Sequence, residues 1–220
     1  MYLPAQFEVT DKTALHGVIE KYPLGTWIVS SGLDSNSDLN ADLTINHIPF
    51  LLDEACAEHG TLVGHVARAN PIWRLLKTRH TSAVVFQGEQ GYVSPSWYAS
   101  KQEHHRAVPT WNYAVVHAHG MARAIEDRDW LLRLVTRLSN KHEADQPTPW
   151  QISQAPAEYI EKMLETIVGI EMPIDKLVGK FKLSQNRSRA DQQGVISGLQ
   201  QVGNADSLAM AELIKHQLDE

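Results

Sequence analysis

A long alternation of side chains in the middle of the sequence constrains the fold more than any other feature. Between residues 114 and 125, the odd-numbered positions include Val115, His117, His119 and Met121, and the even-numbered positions include Val116, Ala118, Gly120 and Ala122. Successive side chains of a β-strand point to opposite faces of a sheet. The alternation therefore predicts one long strand with these two faces.

Shorter segments rich in β-forming residues accompany this strand and are separated by glycine and proline. They cover residues 26–30, 39–46, 61–66, 82–87, 91–94 and 176–184. The polar stretch from residue 30 to residue 38 predicts a turn that joins the first two as a hairpin. Many short strands share one core most simply when an antiparallel sheet curls into a barrel. The expected fold class is therefore mainly β with helical additions (α+β), built on an antiparallel barrel.

Four further segments show the apolar spacing and the end signals of helices. Their ends are marked by Thr10 or Asp11 and Pro23, by Asp127, by Pro156 and Gly169, and by Asn204 and Leu218. The third of these helices is expected to carry Ile167 and Val168 on its apolar face. We expect one domain over residues 1–220, with helical additions at about 127–170 and a helical tail at about 190–220.

Composition places the chain among soluble globular proteins, because 43% of its 220 residues are hydrophobic and 21% are charged. No window approaches the roughly 18 to 20 apolar residues that a membrane span requires, and we expect a cytoplasmic location. The formal net charge of −6 opposes nucleic-acid binding unless cations concentrate on one face. The single cysteine, Cys56, has acidic neighbours in sequence, so nothing there favours a thiolate, and we expect it to have no special chemical role.

Polar and aromatic residues concentrate where the predicted strands end, and they indicate a site for a flat, anionic ligand. The segments are residues 64–71, 93–98, 108–113 and 182–187. In the first, a strand, a turn with Arg68 and Asn70, and a helix beginning at Pro71 predict a phosphate site. The alternative is that Asn70 only caps the helix and Arg68 lies on the surface.

The middle segments combine aromatic rings with cations and alternating polar residues, a combination that can sandwich a planar heterocycle. The rings belong to Trp97, Tyr98, Trp111 and Tyr113. Core or interface packing of these aromatics is the alternative. The last segment, which begins at Lys182, can hydrogen-bond the polar edge of a ring, or it can simply be a turn closed by Asn186.

Histidines and serines support other chemistry less well. His117 and His119 share one strand face, but a metal would need a third ligand that the sequence does not identify. The segment from Ser94 to Ser96 lacks the Gly-x-Ser-x-Gly elbow of a hydrolase. We therefore expect neither a metal site nor a hydrolase triad.

Together, the segments resemble the PaiB family, the FMN-binding type-two domain group of the FMN-binding split-barrel superfamily. The resemblance rests on the first residues from Met1 to Phe7, on residues 46–49, and on the segments 64–71, 93–98, 108–113 and 182–187. It continues in family order to about Leu218.

The resemblance implies a six-stranded split β-barrel that forms a homodimer, a flavoprotein with FMN at the subunit interface. By position it implies that His65, Arg68 and Asn70 hold the flavin phosphate, and that Asn46 and His47 lie beside the ring. It further implies contributions from the second subunit of the dimer by Lys101, Trp111, Asn112, Lys182 and Gln185.

Three functions follow as hypotheses. PaiB-like proteins are described as negative regulators of transcription, so an FMN-binding regulator is favoured, with any DNA contact made through a dimer surface. The second hypothesis is a flavin-dependent oxidoreductase that acts on a small molecule. The third is a haem-binding or haem-degrading protein, because split barrels also support that chemistry.

Overall fold

The computed structural model describes residues 1–30, 43–78 and 80–219. The strands in these residues are β1 (Glu8–Val9), β2 (Leu24–Ser30), β3 (Leu43–Pro49), β4 (Leu51–Asp53), β5 (Thr61–Ala67), β6 (Ser82–Val93), β7 (Thr110–Gly120), β8 (Arg123–Ile125) and β9 (Ile167–Lys182). The α-helices are α1 (Lys12–Lys21), α2 (Ile72–Leu75), α3 (Lys101–His104), α4 (Arg128–Glu143), α5 (Ala157–Glu165), α6 (Arg189–Val202) and α7 (Ala205–Asp219).

The strands form a sheet in the order β3-β2-β6-β7-β9-β5-β4, and β1 and β8 also pair with β9. Six strands are long, and β1, β4 and β8 are only two or three residues each. The six strands implied by the resemblance are thus the long ones. None of the helices in the described ranges is long and apolar enough to cross a membrane.

The chain divides into two compact units. The first unit comprises Met1–Tyr22, Phe86–His117 and Val178–Glu220, and the second comprises Pro23–Val85 and Ala118–Leu177. Strands β6, β7 and β9 contribute residues to both. The expectation of a single domain over residues 1–220 stays a prediction.

In the second unit, antiparallel pairing sets the positions of the candidate site residues. β2 pairs with β3 so that Trp27 lies opposite Asn46, and β5 pairs with β9 so that His65 lies opposite Gly169. The predicted hairpin strands are therefore paired, although residues 39–42 and the turn from residue 31 lie outside the described ranges. The side chains of Val63 and Leu134 bring α4 onto the sheet in a buried cluster.

In the first unit, helices cover the sheet with fully buried side chains. Val195 and Leu199 of α6 and Met210 and Ile214 of α7 are all 0% exposed. Asp11 caps α1 by accepting hydrogen bonds from the backbone amides of Thr13 and Ala14, as the sequence predicts.

The caps of two later helices are confirmed as well. The side chain of Asp127 accepts from the backbone amide of Trp130 at 2.7 Å, and that of Asn204 accepts from the amide of Ser207 at 2.8 Å. The helical tail expected at about 190–220 consists of two helices, α6 and α7, and the sequence marked only the start of α7, at Asn204.

Three strand boundaries differ from the sequence predictions. The segments 82–87 and 91–94 form one continuous strand, β6, because its glycines are accommodated within the sheet. The long segment 114–125 is divided into β7, which begins earlier at Thr110, and the short β8. The two-sided pattern is confirmed, since burial alternates along β7.

The largest difference lies at the start of β9. The third predicted helix ends at Glu165, and Ile167 and Val168 begin a 16-residue strand instead of continuing the helix. Their spacing fits a helix, but their β-branched side chains favour a strand that pairs with β5. The final strand therefore begins at Ile167, not at residue 176.

Candidate functional site

The strand, turn and helix predicted to hold a phosphate are present in the second unit. Strand β5 ends at Ala67, and the turn is closed by a hydrogen bond from the amide of Asn70 to the carbonyl of Ala67 at 2.9 Å. The side-chain oxygen of Asn70 accepts from the amide of Ile72 at 3.0 Å. Asn70 therefore bonds the first residue of α2, a helix only one turn long whose N-cap residue is Pro71.

The other end of the Asn70 amide reaches strand β3. Its Nδ2 donates to Oδ1 of Asn46 at 2.6 Å. Beside Asn46, Nδ1 of His47 lies 3.1 Å from the hydroxyl of Thr26 on β2. The structure thus brings Asn46 and Asn70 together and leaves His47 on an exposed position of the same strand.

Arg68 is anchored by protein groups. Its Nε donates to the carbonyl of Glu165 at 2.7 Å, and one Nη donates to the carbonyl of Ile167 at 3.1 Å. The other Nη contacts the carboxylate of Glu126 at 2.5 Å. Because a guanidinium has five N–H groups, two remain for a ligand, although Glu126 already supplies a negative charge.

The ring of Trp73 is surrounded by cations. Its Nε1 donates to the carbonyl of Arg68 at 3.0 Å. The charged groups of Arg68, Arg74 and Lys77 lie 5.4 to 6.0 Å from the ring centre. This concentration of positive charge is favourable for an anion beside the turn.

His65 is the most distinctive titratable group of the second unit. Its Nδ1 is buried and has no hydrogen-bond partner among the described residues. Burial lowers the pKa of His65 below its ordinary value, so the imidazole is neutral at neutral pH. It lines an open depression of about 600 Å³ with Ala67, Arg68, Ala69, Glu165, Thr166 and Ile167.

In the first unit, Lys182 and Asn112 lie where β9 and β7 meet. Nζ of Lys182 donates to the hydroxyl of Thr110 and to the carbonyl of Trp111. Nδ2 of Asn112 donates to the hydroxyl of Ser184 at 2.9 Å, whereas its buried Oδ1 has no partner in the described part of the chain. Asn112 is 0% exposed, so this unpaired acceptor lies inside the first unit.

The charge of Lys182 is incompletely balanced. Its two hydrogen-bond acceptors are neutral oxygens. Desolvation is the largest cause that lowers the pKa of Lys182 below its ordinary value; Tyr113 opposes it, and the neighbouring cations Lys180 and Arg187 lower the pKa further. An anion bound here would relieve this imbalance.

The remaining predicted contributors from the first unit differ in how accessible they are. Trp111 is 48% exposed and packs edge-on against Tyr92 with ring centres 6.1 Å apart. Lys101 begins the short helix α3. Gln185, which follows β9, uses both ends of its amide on nearby backbone, accepting from the amide of Leu183 and donating to the carbonyl of Phe181.

Two of the four aromatic residues have structural roles. Trp97 packs directly against α6, because a Cβ added at Gly198 would lie 2.1 Å from its indole. Tyr98 is 2% exposed and lies under the guanidinium of Arg187 at 4.7 Å. The alternative of core packing therefore describes these two, while Trp111 remains on the surface.

Sequence reasoning did not assign Lys180 to the site. Its Nζ donates to the carbonyl of Tyr2 at 3.1 Å and lies 5.5 Å from the ring of Tyr113. The two-residue spacing of Lys180 and Lys182 could have indicated this role, because residues two apart lie on the same face of a strand. No group of three metal-ligating side chains occurs in residues 1–30, 43–78 and 80–219.

Comparison with known proteins identifies the family. The family model FMN_bind_2, described as "Putative FMN-binding domain", matches residues 1–176. A curated relative, the protease synthase and sporulation protein PAI 2 of Bacillus subtilis, is 30% identical over 218 residues, which cover 99% of this chain and 98% of the relative.

Solved structures show the same fold. The FAD and haem binding protein of Mycobacterium smegmatis has a TM-score of 0.58 at 16% identity, and the match covers 84% of this chain and 78% of that one. The flavocytochrome Anf3 of Azotobacter vinelandii has a TM-score of 0.55 at 12% identity, over 80% and 69% of the two chains. The expected antiparallel split barrel with helical additions is confirmed, and the chain belongs to the FMN_bind_2 family of FMN-binding domains, with a PaiB homologue among its relatives.

Proposed function

We propose that the protein binds FMN as a homodimer in the cytoplasm and acts, through this cofactor, as a regulator of gene expression. The similarity to PAI 2 over nearly the whole of both chains supports the regulatory role, because that protein's name refers to protease synthesis and sporulation. The net charge of −6 opposes direct contact with DNA. A basic surface formed by the dimer would be needed for such contact.

The second unit supplies groups suited to the phosphate end of FMN. Arg68 retains two N–H groups, and His65 has an unpaired buried nitrogen. We assign the phosphate to Arg68, His65 and Asn70, with Asn46 and His47 beside the flavin ring. Charge-assisted hydrogen bonds from a guanidinium are strong when the acceptor is an oxyanion.

The first unit, contributed by the second subunit of the dimer, supplies groups suited to the polar edge of the ring. The unpaired Oδ1 of Asn112 can accept a hydrogen bond, and the ammonium of Lys182 lacks a carboxylate among its contacts. We assign Trp111 and Lys101 to the same subunit's contribution. Gln185 fits less well, because its amide would first have to break its hydrogen bonds to the backbone of Leu183 and Phe181.

The buried, unpaired acceptor of Asn112 is the observation that carries the proposal. An unsatisfied buried polar atom costs about 1 to 3 kcal/mol, and a ligand that donates to it recovers that cost once binding uncovers Asn112, which is 0% exposed in the unbound chain. When bound, FMN supplies reversible electron transfer, and the protein supplies binding and electrostatics.

The test is a titration of the purified protein with FMN and, separately, with riboflavin, followed by flavin absorbance near ~450 nm. Arg68→Ala is expected to weaken FMN binding about tenfold or more while changing riboflavin binding little, because only FMN carries a phosphate. Asn112→Ala is expected to weaken both ligands equally. Arg128→Ala is the control, since Arg128 at the start of α4 pairs with Glu161 of α5 and is not among the candidate flavin residues.

Equal losses of FMN and riboflavin in Arg68→Ala would remove Arg68 from the phosphate site. If neither flavin binds and added haem gives a Soret band instead, the haem hypothesis replaces the flavin one. Sedimentation of the FMN-loaded protein tests the dimer, and a monomer at saturating FMN contradicts a shared site.

A flavin-dependent oxidoreductase is the second candidate. In this alternative His65 faces the reacting group instead of the phosphate, because a neutral imidazole with an unpaired Nδ1 can accept a proton there. Anaerobic addition of a nicotinamide donor to the FMN-loaded protein tests this activity. Bleaching of the flavin that disappears in His65→Gln supports an enzyme, and an unbleached flavin supports the regulator.

A further inference from the structure

A separate cavity of about 390 Å³ lies in the second unit, and none of the candidate flavin residues lines it. Its walls come from β4, β5, β8, β9 and α4. Its size lies within the usual range for small-molecule sites.

The floor of the cavity is apolar and well packed. Val63 and Leu134 line it and belong to a buried cluster, against which Trp130 packs. The indole of Trp130 lies so close to Gly169 that a Cβ there would be 2.2 Å from the ring. This close packing therefore makes the floor of the cavity rigid.

Three arginines stand around this floor: Arg123, Arg133 and Arg137. Arg123 pairs with Glu171, and Arg137 lies 3.3 Å from a carboxylate oxygen of Asp53. Arg133 is exposed and has no hydrogen bond or ion pair to any described residue. Three cations and two carboxylates leave a net charge of +1 in a chain whose net charge is −6.

The loop that borders the cavity is held in place by its own hydrogen bonds. The hydroxyl of Thr61 donates to the carbonyl of Cys56 at 2.9 Å, and the amide of Gly60 donates to the carbonyl of Ala57 at 3.2 Å. A preformed site loses less free energy in ordering when a ligand binds.

We propose that this cavity binds a small carboxylic acid with an apolar or aromatic body. The carboxylate pairs with Arg133, and the body lies against Trp130, Val63 and Leu134. A guanidinium matches a carboxylate in bidentate geometry. A monoanion is favoured over a dianionic phosphate, because Asp53 and Glu171 leave only one positive charge uncompensated.

The test uses hydrocinnamate and its neutral amide, hydrocinnamide, as probes with the full chain in the presence of saturating FMN. Cys56 is the only cysteine, is exposed and lines the cavity, so its rate of reaction with a thiol reagent reports occupancy. Calorimetry measures the affinity. Arg133→Gln removes the unpaired guanidinium without leaving a carboxylate alone, and Arg128→Gln on the same helix is the matched control.

We expect hydrocinnamate to slow the reaction of Cys56 and to bind about tenfold more tightly than the amide. Arg133→Gln should remove this difference, and Arg128→Gln should preserve it. Equal binding of acid and amide overturns the proposal, and so does the absence of binding by either. Binding of the acid that occurs without FMN and is lost at saturating FMN also overturns it, because the cavity would then belong to the flavin site.

Discussion

The side-chain amide of Asn70 donates to Oδ1 of Asn46 across 2.6 Å, and it thereby fastens the turn after β5 to strand β3. The oxygen of the same amide accepts from the backbone amide of Ile72, the first residue of α2. One side chain thus contacts both the start of the helix and strand β3, which together carry the proposed flavin contacts Asn70, Asn46 and His47.

Replacement of Asn70 by alanine removes both hydrogen bonds. We expect the free energy of unfolding to fall by about 1 to 2 kcal/mol, the usual cost of two partly buried hydrogen bonds. Urea denaturation measures the change. Asn140→Ala, at an exposed position of α4, should cost much less, and equal losses in both variants would show that the Asn70 contacts contribute nothing.

Arg68 should contribute to stability as well as to ligand binding. It donates to the carbonyls of Glu165 and Ile167, which lie where α5 ends and β9 begins. Arg68→Ala leaves both carbonyls without this donor, and we expect a loss of about 1 kcal/mol, the low end for a hydrogen-bonded group that is 38% exposed.

Arg68→Lys should not restore the lost stability, because a single ammonium group cannot donate to both carbonyls in the fixed geometry of a guanidinium. Urea denaturation without FMN isolates the effect on stability. Arg74→Ala is the neighbouring control, since Arg74 lies over Trp73 without those carbonyl contacts. An Arg68→Lys variant as stable as the wild type would contradict the role of the two guanidinium–carbonyl hydrogen bonds.

Local signals in the sequence were sufficient for much of the fold. Asp11, Asp127 and Asn204 were identified as helix caps because a cap bonds only two or three residues along the chain. The period of two along β7 likewise needs no knowledge of its partners.

The features that the sequence did not predict depend on distant residues. Ile167 and Val168 fit a helical stripe, and their pairing with β5 decides for a strand. In the sequence, nothing near Arg68 predicts that its side chain is already engaged, because it donates to the carbonyl of Glu165, 97 positions away. The unpaired state of Asn112 Oδ1 also depends on tertiary packing, which brings no donor to this atom among the described residues.

His65 should make stability depend on pH. Its folded-state pKa lies below the ordinary value, so the unfolded chain binds the proton more readily. The stability that His65 contributes is present above the unfolded pKa of about 6.5. It is lost as the pH falls from there toward the lower folded pKa.

The slope is measured by urea denaturation between about pH 7.5 and about pH 5. His65→Gln should flatten the decline on the acid side, whereas His142→Gln, at an exposed position of α4, should leave it unchanged. His119 also has a lowered pKa through burial, so some decline should persist in His65→Gln. A wild-type slope in His65→Gln would contradict the buried, neutral state.

Two glycines in helices should respond oppositely to the same substitution. A Cβ at Gly198 of α6 would lie 2.1 to 2.5 Å from the indole of Trp97, whereas a Cβ at Gly17 of α1 would meet nothing within 4 Å. Alanine is intrinsically better than glycine in a helix by about 0.5 to 1 kcal/mol. Gly17→Ala should therefore raise the free energy of unfolding by about that amount.

Gly198→Ala gains the same propensity but forces the indole away, and overpacking costs about 1 to 3 kcal/mol. We expect a net loss, measured by urea denaturation, together with a changed near-ultraviolet circular dichroism signal from Trp97. This pair also tests the role of residues 93–98, because a loop that served only a ligand would tolerate the extra methyl group. Equal gains in both variants would mean that Trp97 does not pack on α6 and is available to a ligand after all.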